Sequence, residues 1–296
     1  MPSDTKLLPG ELPRRGRTPR RGSVLERRET EKRATRPPIR LRITAGRILP
    51  WLLPAALFLA WYLSSRFDLI DPTFLPGPGD VLSGFQSVSQ TGELWNDLAI
   101  STARALGGLL IGGGIGFVLG ILNGLSPLSA KLLDTTLQML RNIPILALIP
   151  LAILWFGIGE SAKLFLISLG VFFPVYLNTY HGIRNVDAGL IEMARTYGLK
   201  GPRLFFQVIF PGALPSILVG LRYALGIMWL VLIVAEMVSA SSGIGYMTMN
   251  ARDDMQTNIV VLGILIYAGL GKLADWFALA LERRFLRWHQ NYAKAK

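Results

Sequence analysis

Three charged side chains interrupt long apolar runs in this sequence: Arg222, Lys272 and Asp275. A charge at hydrocarbon depth is costly, so such residues mark either a site or a charge pair. A guanidinium offers a planar fork of donors that matches an oxyanion, which makes Arg222 a candidate guide for a small anion. The competing role is structural, with Arg222 bonded to carbonyls of a kinked helix or to an acid such as Glu236 of a second copy. Lys272 and Asp275 are three residues apart, share a helical face and can pair. Trp229, Ser239 and Ser241 are further candidates for lining a path. Catalytic chemistry finds little support. There is no cysteine, the two histidines (His181 and His289) lie far apart, and no Ser/His/Asp grouping or metal-ligand spacing occurs outside the apolar runs.

These residues need elements to hold them, and the apolar runs supply them. Hydrophobic residues make up 51% of the 296 and charged ones only 17%, too apolar for an ordinary soluble domain. Measured against the roughly 20 residues that cross hydrocarbon, six runs stand out. They are Ile48–Ser65, Ala105–Ala130, Asn142–Gly159, Leu164–Ile183, Pro211–Ala235 (interrupted by Arg222) and Ile259–Leu281 (interrupted by Lys272 and Asp275). The expected fold class is therefore all-α, a polytopic membrane bundle of six transmembrane helices over residues 48–281. An even number of crossings puts both termini on one side. That side collects 25 basic residues against 4 on the other, where Arg66, Arg104, Lys163 and Arg252 are expected to bound the loops. The bias places both termini, and the tail 282–296, in the cytoplasm.

The formal net charge is +12, of which residues 1–47 carry +9. Arginines and prolines dominate this tail, and it has no aromatic residue. It cannot bury enough surface to offset its ordering entropy, so it reads as a disordered cytoplasmic tail near anionic lipid rather than a nucleic-acid arm. In the second run Gly108, Gly112, Gly116, Gly120 and Gly124 repeat every four residues. This stripe lets a neighbouring helix approach backbone to backbone, with Gly107, Gly113 and Gly114 widening it. It is not a phosphate-binding loop, because no Gly-Lys-Ser/Thr follows. The chain thus binds no nucleotide or other cofactor of its own.

Residues 184–210, RNVDAGLIEMARTYGLKGPRLFFQVIF, form a water-facing connection. Asp187 is a helix N-cap, Leu190, Ile191, Ala194 and Tyr197 recur at helical spacing, and Gly198 is a stop. Gly201-Pro202 opens a second short helix. Two such short amphipathic helices are marginal alone in water and call for a partner surface. Glu192-Met193-Ala194, three residues, Gly198, nine residues, then Val208-Ile209-Phe210-Pro211 resembles the EAA motif of importer permeases of the ATP-binding cassette class. Met193, Val208 and Phe210 stand where that motif usually has Ala, Ile and Leu. The stretches 132–163, 180–185, 211–236 and 241–252 closely resemble aliphatic sulfonate permeases, in the sulfonate/taurine/nitrate branch.

The resemblance, which covers about residues 48–290, implies the MetI-like fold of type I importer permeases in a bacterial inner membrane. It implies two copies forming the pathway, a periplasmic sulfonate-binding protein, and a cytoplasmic ATPase that holds ATP and Mg and grips each EAA loop. Glu192 would then pair with an ATPase arginine, Ala194 would allow close approach, and Gly198 would turn the chain between helices. Taurine, nitrate or another small anion is the alternative cargo, and an ion-coupled secondary transporter the rival class. A secondary transporter would favour inverted repeats and buried acids, and no repeat relates the two halves.

Overall fold

The computed structural model describes residues 39–286 and Trp288, with side chains from Leu49 onward. The tail 1–38 and most of the stretch after Leu286 lie outside the described residues. All regular structure among them is helical. The chain divides after Ala60 into two units. The first described helix, α1, runs Ile39–Arg66, so helical backbone begins within the stretch read above as tail. It contains the expected run Ile48–Ser65, and Leu49, Trp51, Leu53 and Leu57 along it are exposed.

In the second unit, α2 (Pro78–Gln90) precedes the long α3 (Glu93–Leu125). α4 (Pro127–Arg141), a 3-10 turn (Ile145–Leu148) and α5 (Ile149–Phe156) follow. Then come α6 (Glu160–Arg184), α7 (Ala188–Thr196), α8 (Gly201–Leu204), α9 (Phe210–Ser239), α10 (Ile244–Asp253) and α11 (Thr257–Phe285). Among the described residues, four stretches are long and apolar enough to cross a membrane: α3, α6, α8 through α9, and α11.

Two expected boundaries need correction. The run Asn142–Gly159 is not one straight crossing. α4 and the 145–156 segment meet at 85°, and only together could they make a fifth span. Pro144 lies in the break, where it lacks an N–H and clashes with the preceding turn, whereas Pro150 sits in the first turn of α5, where a proline is tolerated. The second helix begins at Glu93, not Ala105, which puts Asp97, Ser101 and Arg104 inside it, all buried.

The glycine stripe does what its spacing predicts. A Cβ on Gly116 would lie 2.6 Å from the Phe172 carbonyl oxygen, on Gly120 2.7 Å from Thr179 Cβ, and on Gly124 2.8 Å from Ile183 Cβ. On Gly112 it would enter the Ser168 carbonyl. Contacts advance in the same direction along both chains, so α3 and α6 pack in parallel with backbones touching. Gly114, expected to widen the stripe, faces open space. α9 crosses the other side of α6 in the opposite direction: Gly182 abuts Ser216, Gly220 abuts Asn178, and Gly170 abuts Val231. The core lies in this three-helix contact, with Leu166, Ile167, Val171, Met228 and Leu232 buried.

Candidate functional site

Three polar regions stand out against this scaffold. The first is the 184–210 connection. Asp187 caps α7 by accepting a hydrogen bond from the Gly189 amide at 2.7 Å. Gly198 ends it at φ +84°, and the Leu199 amide donates to the Ala194 carbonyl at 3.0 Å. The next helix is not separate, as the sequence suggests. α8 passes through a π turn, Phe205–Ile209, directly into α9. Pro211 supplies the reason: without an N–H it cannot continue the i to i−4 ladder, and the Phe210 amide donates instead to Phe205. The motif residues Val208, Phe210 and Pro211 are half-buried at this junction. Phe210 packs edge-on against Phe117, centroids 6.5 Å apart.

The apolar face expected for α7 divides in two. Ala194 is buried and Ile191 half-buried, while Leu190, Met193 and Tyr197 are exposed. These three lie at i, i+3 and i+7, a single outward stripe. Glu192 is also exposed, beside this stripe.

The second region, at the other end of the bundle, is a buried charge network that sequence reasoning missed. Arg104 grips Glu160 with Nε and Nη2 at 2.7 and 2.6 Å. Its Nη1 donates to Glu236 at 2.7 Å and to the Ser242 carbonyl at 2.6 Å. The Arg104 side chain is 4% exposed and that of Glu236 0%. Glu236 also accepts from Ser101 at 2.8 Å, the Gly245 amide at 3.0 Å and the Tyr267 hydroxyl at 3.1 Å. Asp97 accepts from the Gly243 amide at 2.8 Å, and buried Lys163 donates to Glu160 at 2.9 Å. A Cβ at Gly243, where φ is +108°, would sit 2.6 Å from the Glu236 carboxyl carbon. Five helices and the 240–243 turn are therefore fastened through one glutamate and one arginine. Arg104 and Lys163, expected to bound loops, are interior residues. A signal was present: Arg104 lies four residues before Gly108, in register with the glycine stripe, so the packed face continues through it.

The third region surrounds Arg222. Its Nη2 and Nε reach Asp275 at 2.6 and 2.7 Å, and Lys272 reaches the other Asp275 oxygen at 3.3 Å. The Lys272–Asp275 pair matches the spacing argument. Glu236, named above as a possible partner for Arg222, belongs instead to the Arg104 network of its own chain. The remaining path candidates do not gather at Arg222. Trp229 is buried two turns along α9, edge-on to Tyr267 with centroids 6.4 Å apart, and among the described residues its indole N–H has no partner. Ser239 is buried and donates to the Ala235 carbonyl of its own helix, and Ser241 is exposed in the following turn.

Comparison with known proteins gives this arrangement a family. A family model described as the binding-protein-dependent transport system inner membrane component matches residues 112–287. The chain is 58% identical over 246 residues to SsuC of Escherichia coli K12, a permease protein named for aliphatic sulfonates transport, covering 83% of this chain and 94% of that one. It is 48% identical over 241 residues to SsuC of Bacillus subtilis 168, covering 81% and 87%. Against TauC of Escherichia coli K12, a taurine transport system permease, identity is 36% over 240 residues, covering 79% and 87%. A match over more than half the chain, together with relatives spanned almost end to end, shows that this protein belongs to the family of binding-protein-dependent transport system inner membrane components.

Proposed function

We propose that this chain is the permease subunit of an ATP-driven importer of aliphatic sulfonates. The observation that carries the substrate is the 58% identity to the sulfonate permease over nearly all of that protein, against 36% to the taurine permease. The chain itself is a membrane component and not an enzyme. ATP and Mg belong to a cytoplasmic ATPase subunit, and the substrate arrives on a sulfonate-binding protein outside the membrane. Two copies of the chain frame the path, and both termini face the cytoplasm, as the excess of basic residues on that side supports.

Coupling runs through α7. Its stripe of Leu190, Met193 and Tyr197 is apolar, exposed and held rigidly between Asp187 and Gly198. Such a stripe on a short helix suits a groove in a partner, with Glu192 beside it to meet an arginine. Because α8 continues into α9, displacement of this corner by the ATPase reaches the membrane as motion of a stiff rod. Two global states of the ATPase then bias two arrangements of the bundle. On the path side, Trp229 has a buried N–H without a partner among the described residues, which can donate to a sulfonate oxygen. Arg222 we assign to holding α9 against α11, since Asp275 already occupies its fork.

The test is uptake of radiolabelled ethanesulfonate into proteoliposomes containing this permease, its ATPase and its binding protein. ATP-dependent accumulation, outcompeted by other alkanesulfonates and poorly by nitrate, is expected. Accumulation without ATP, or nitrate winning the competition, would refute the assignment.

A further inference from the structure

Arg104, Lys163, Arg222 and Lys272 each meet a carboxylate. Arg141 does not. It is the last residue of α4, it is exposed, and among the described residues no ion pair or hydrogen bond reaches its guanidinium.

Arg141 immediately precedes the apolar run Asn142–Gly159, which by sequence alone puts it at a membrane boundary. The bend after α4 puts it deeper. Halfway along α4, Asp134 accepts a hydrogen bond from the Tyr176 hydroxyl at 3.4 Å. Just past the helix, Ile145 Cδ1 lies 3.7 Å from where a Cβ on Gly170 would be. Arg141 lies between these two contacts with α6. Tyr176 and Gly170 are about 12 and 21 Å from the Arg184 end of α6, at 1.5 Å per residue, so Arg141 stands at hydrocarbon depth.

The register of α4 shows which way it faces. Ala130, Asp134, Leu137 and Arg141, at i, i+4, i+7 and i+11, form one stripe, and the Tyr176 contact turns that stripe toward α6. Along it Ala130 is buried, Asp134 and Leu137 half-buried and Arg141 exposed. The two helices therefore part toward the bend and leave a gap under Arg141. An unpaired charge at this depth is tolerated where it lines a water-filled space, and such charges mark solute pathways. The break in the helix belongs to the same pattern, since interrupted helices supply solute sites near the membrane midplane. A basic residue in a last helical turn also suits the carbonyls there, but that role does not call for exposure on the inner stripe.

We infer that Arg141 is the anion-binding residue of the permease path, its free fork taking two oxygens of a monoanionic sulfonate. Asp134, about 10 Å back along the stripe, repels an anion and confines it to the bend. This rests on the sulfonate-permease reading and adds the residue within the membrane that meets the cargo.

The chain has no cysteine, so Asn142→Cys, at an exposed position beside Arg141, places a single thiol on it. In the reconstituted permease–ATPase complex this thiol reacts with the membrane-impermeant 2-(trimethylammonio)ethyl methanethiosulfonate, followed by mass spectrometry of this chain. Millimolar ethanesulfonate slows the reaction roughly tenfold, the ratio that one charge-assisted contact supplies. Adding Arg141→Gln, which removes no buried side chain, abolishes the protection and lowers sulfonate uptake, while Arg141→Lys keeps part of both. An arginine that only holds α4 in place would leave the protection intact. A thiol closed to the reagent, no protection by any anion, or protection that survives Arg141→Gln would overturn the inference. Protection by nitrate and not by ethanesulfonate would uphold the anion site and overturn the sulfonate reading instead.

Discussion

Replacing Arg104 by leucine removes five hydrogen bonds: two to Glu160, one to Glu236 and two to Ser242. The larger consequence is electrostatic. The Glu236 side chain, 0% exposed, would keep neutral donors from Ser101, Gly245 and Tyr267 but lose the only cation that pairs with it among the described residues. Breaking a buried pair on one side costs about 3–5 kcal/mol. The Glu160 contribution is discounted, because that carboxylate is 57% exposed and water can replace the arginine. For a helical body of this size, 1 kcal/mol shifts the midpoint by about 2–4 °C, so Arg104→Leu lowers Tm by roughly 6–20 °C. The double variant Arg104→Leu with Glu236→Gln removes the stranded charge as well and recovers part of the loss. Thermal unfolding of the detergent-solubilised permease, followed by tryptophan fluorescence for parent, both singles and the double, measures this cycle. A single variant melting within about 2 °C of the parent, or strictly additive losses, would refute the network as a fastening.

Five other substitutions probe separate parts of the structure. Gly112→Val drives a side chain into the Ser168 backbone and should destabilise by about 1–3 kcal/mol or more, whereas Gly114→Ala, over open space, should leave Tm unchanged in the same assay. At Gly198 a Cβ meets nothing but φ is +84°, so Gly198→Val should cost about 1–2 kcal/mol of local backbone strain and lower uptake per ATP hydrolysed, while Gly198→Asn is tolerated. Trp229→Phe keeps the ring packing on Tyr267 but deletes the unpartnered indole N–H; sulfonate uptake should fall several-fold with Tm held within a few degrees, and unchanged uptake would remove Trp229 from the path.

The amino-acid sequence reveals this fold unevenly, for physical reasons. Uncharged length marks membrane helices well, and α6 and α11 fall close to where apolarity puts them. Counting charges fails where a charge is satisfied inside protein: Arg104 ends the apolar run but not the helix, because Glu160 and Glu236 compensate it there. Prolines were visible at 144 and 150, yet a run of apolar residues looks alike whether straight or bent by 85°. On the coupling loop, Asp187 and Gly198 were legible because capping and left-handed backbone are local chemistry. The union of α8 with α9 was not, since it depends on a π turn that absorbs Pro211. Arg222 illustrates the limit for sites: its fork suits an anion, and which anion it meets, Asp275 or a solute, is settled by the packing of α11.

Coupling through α7 is tested most directly by Glu192→Lys in the reconstituted transporter, with ATP hydrolysis and sulfonate uptake recorded on the same vesicles. Charge reversal on this exposed surface leaves the permease folded and in the membrane, so ATP hydrolysis should continue while uptake drops at least tenfold, and an arginine-to-glutamate change on the ATPase facing it should restore part of the loss. Uptake per ATP equal to that of the parent would contradict the account.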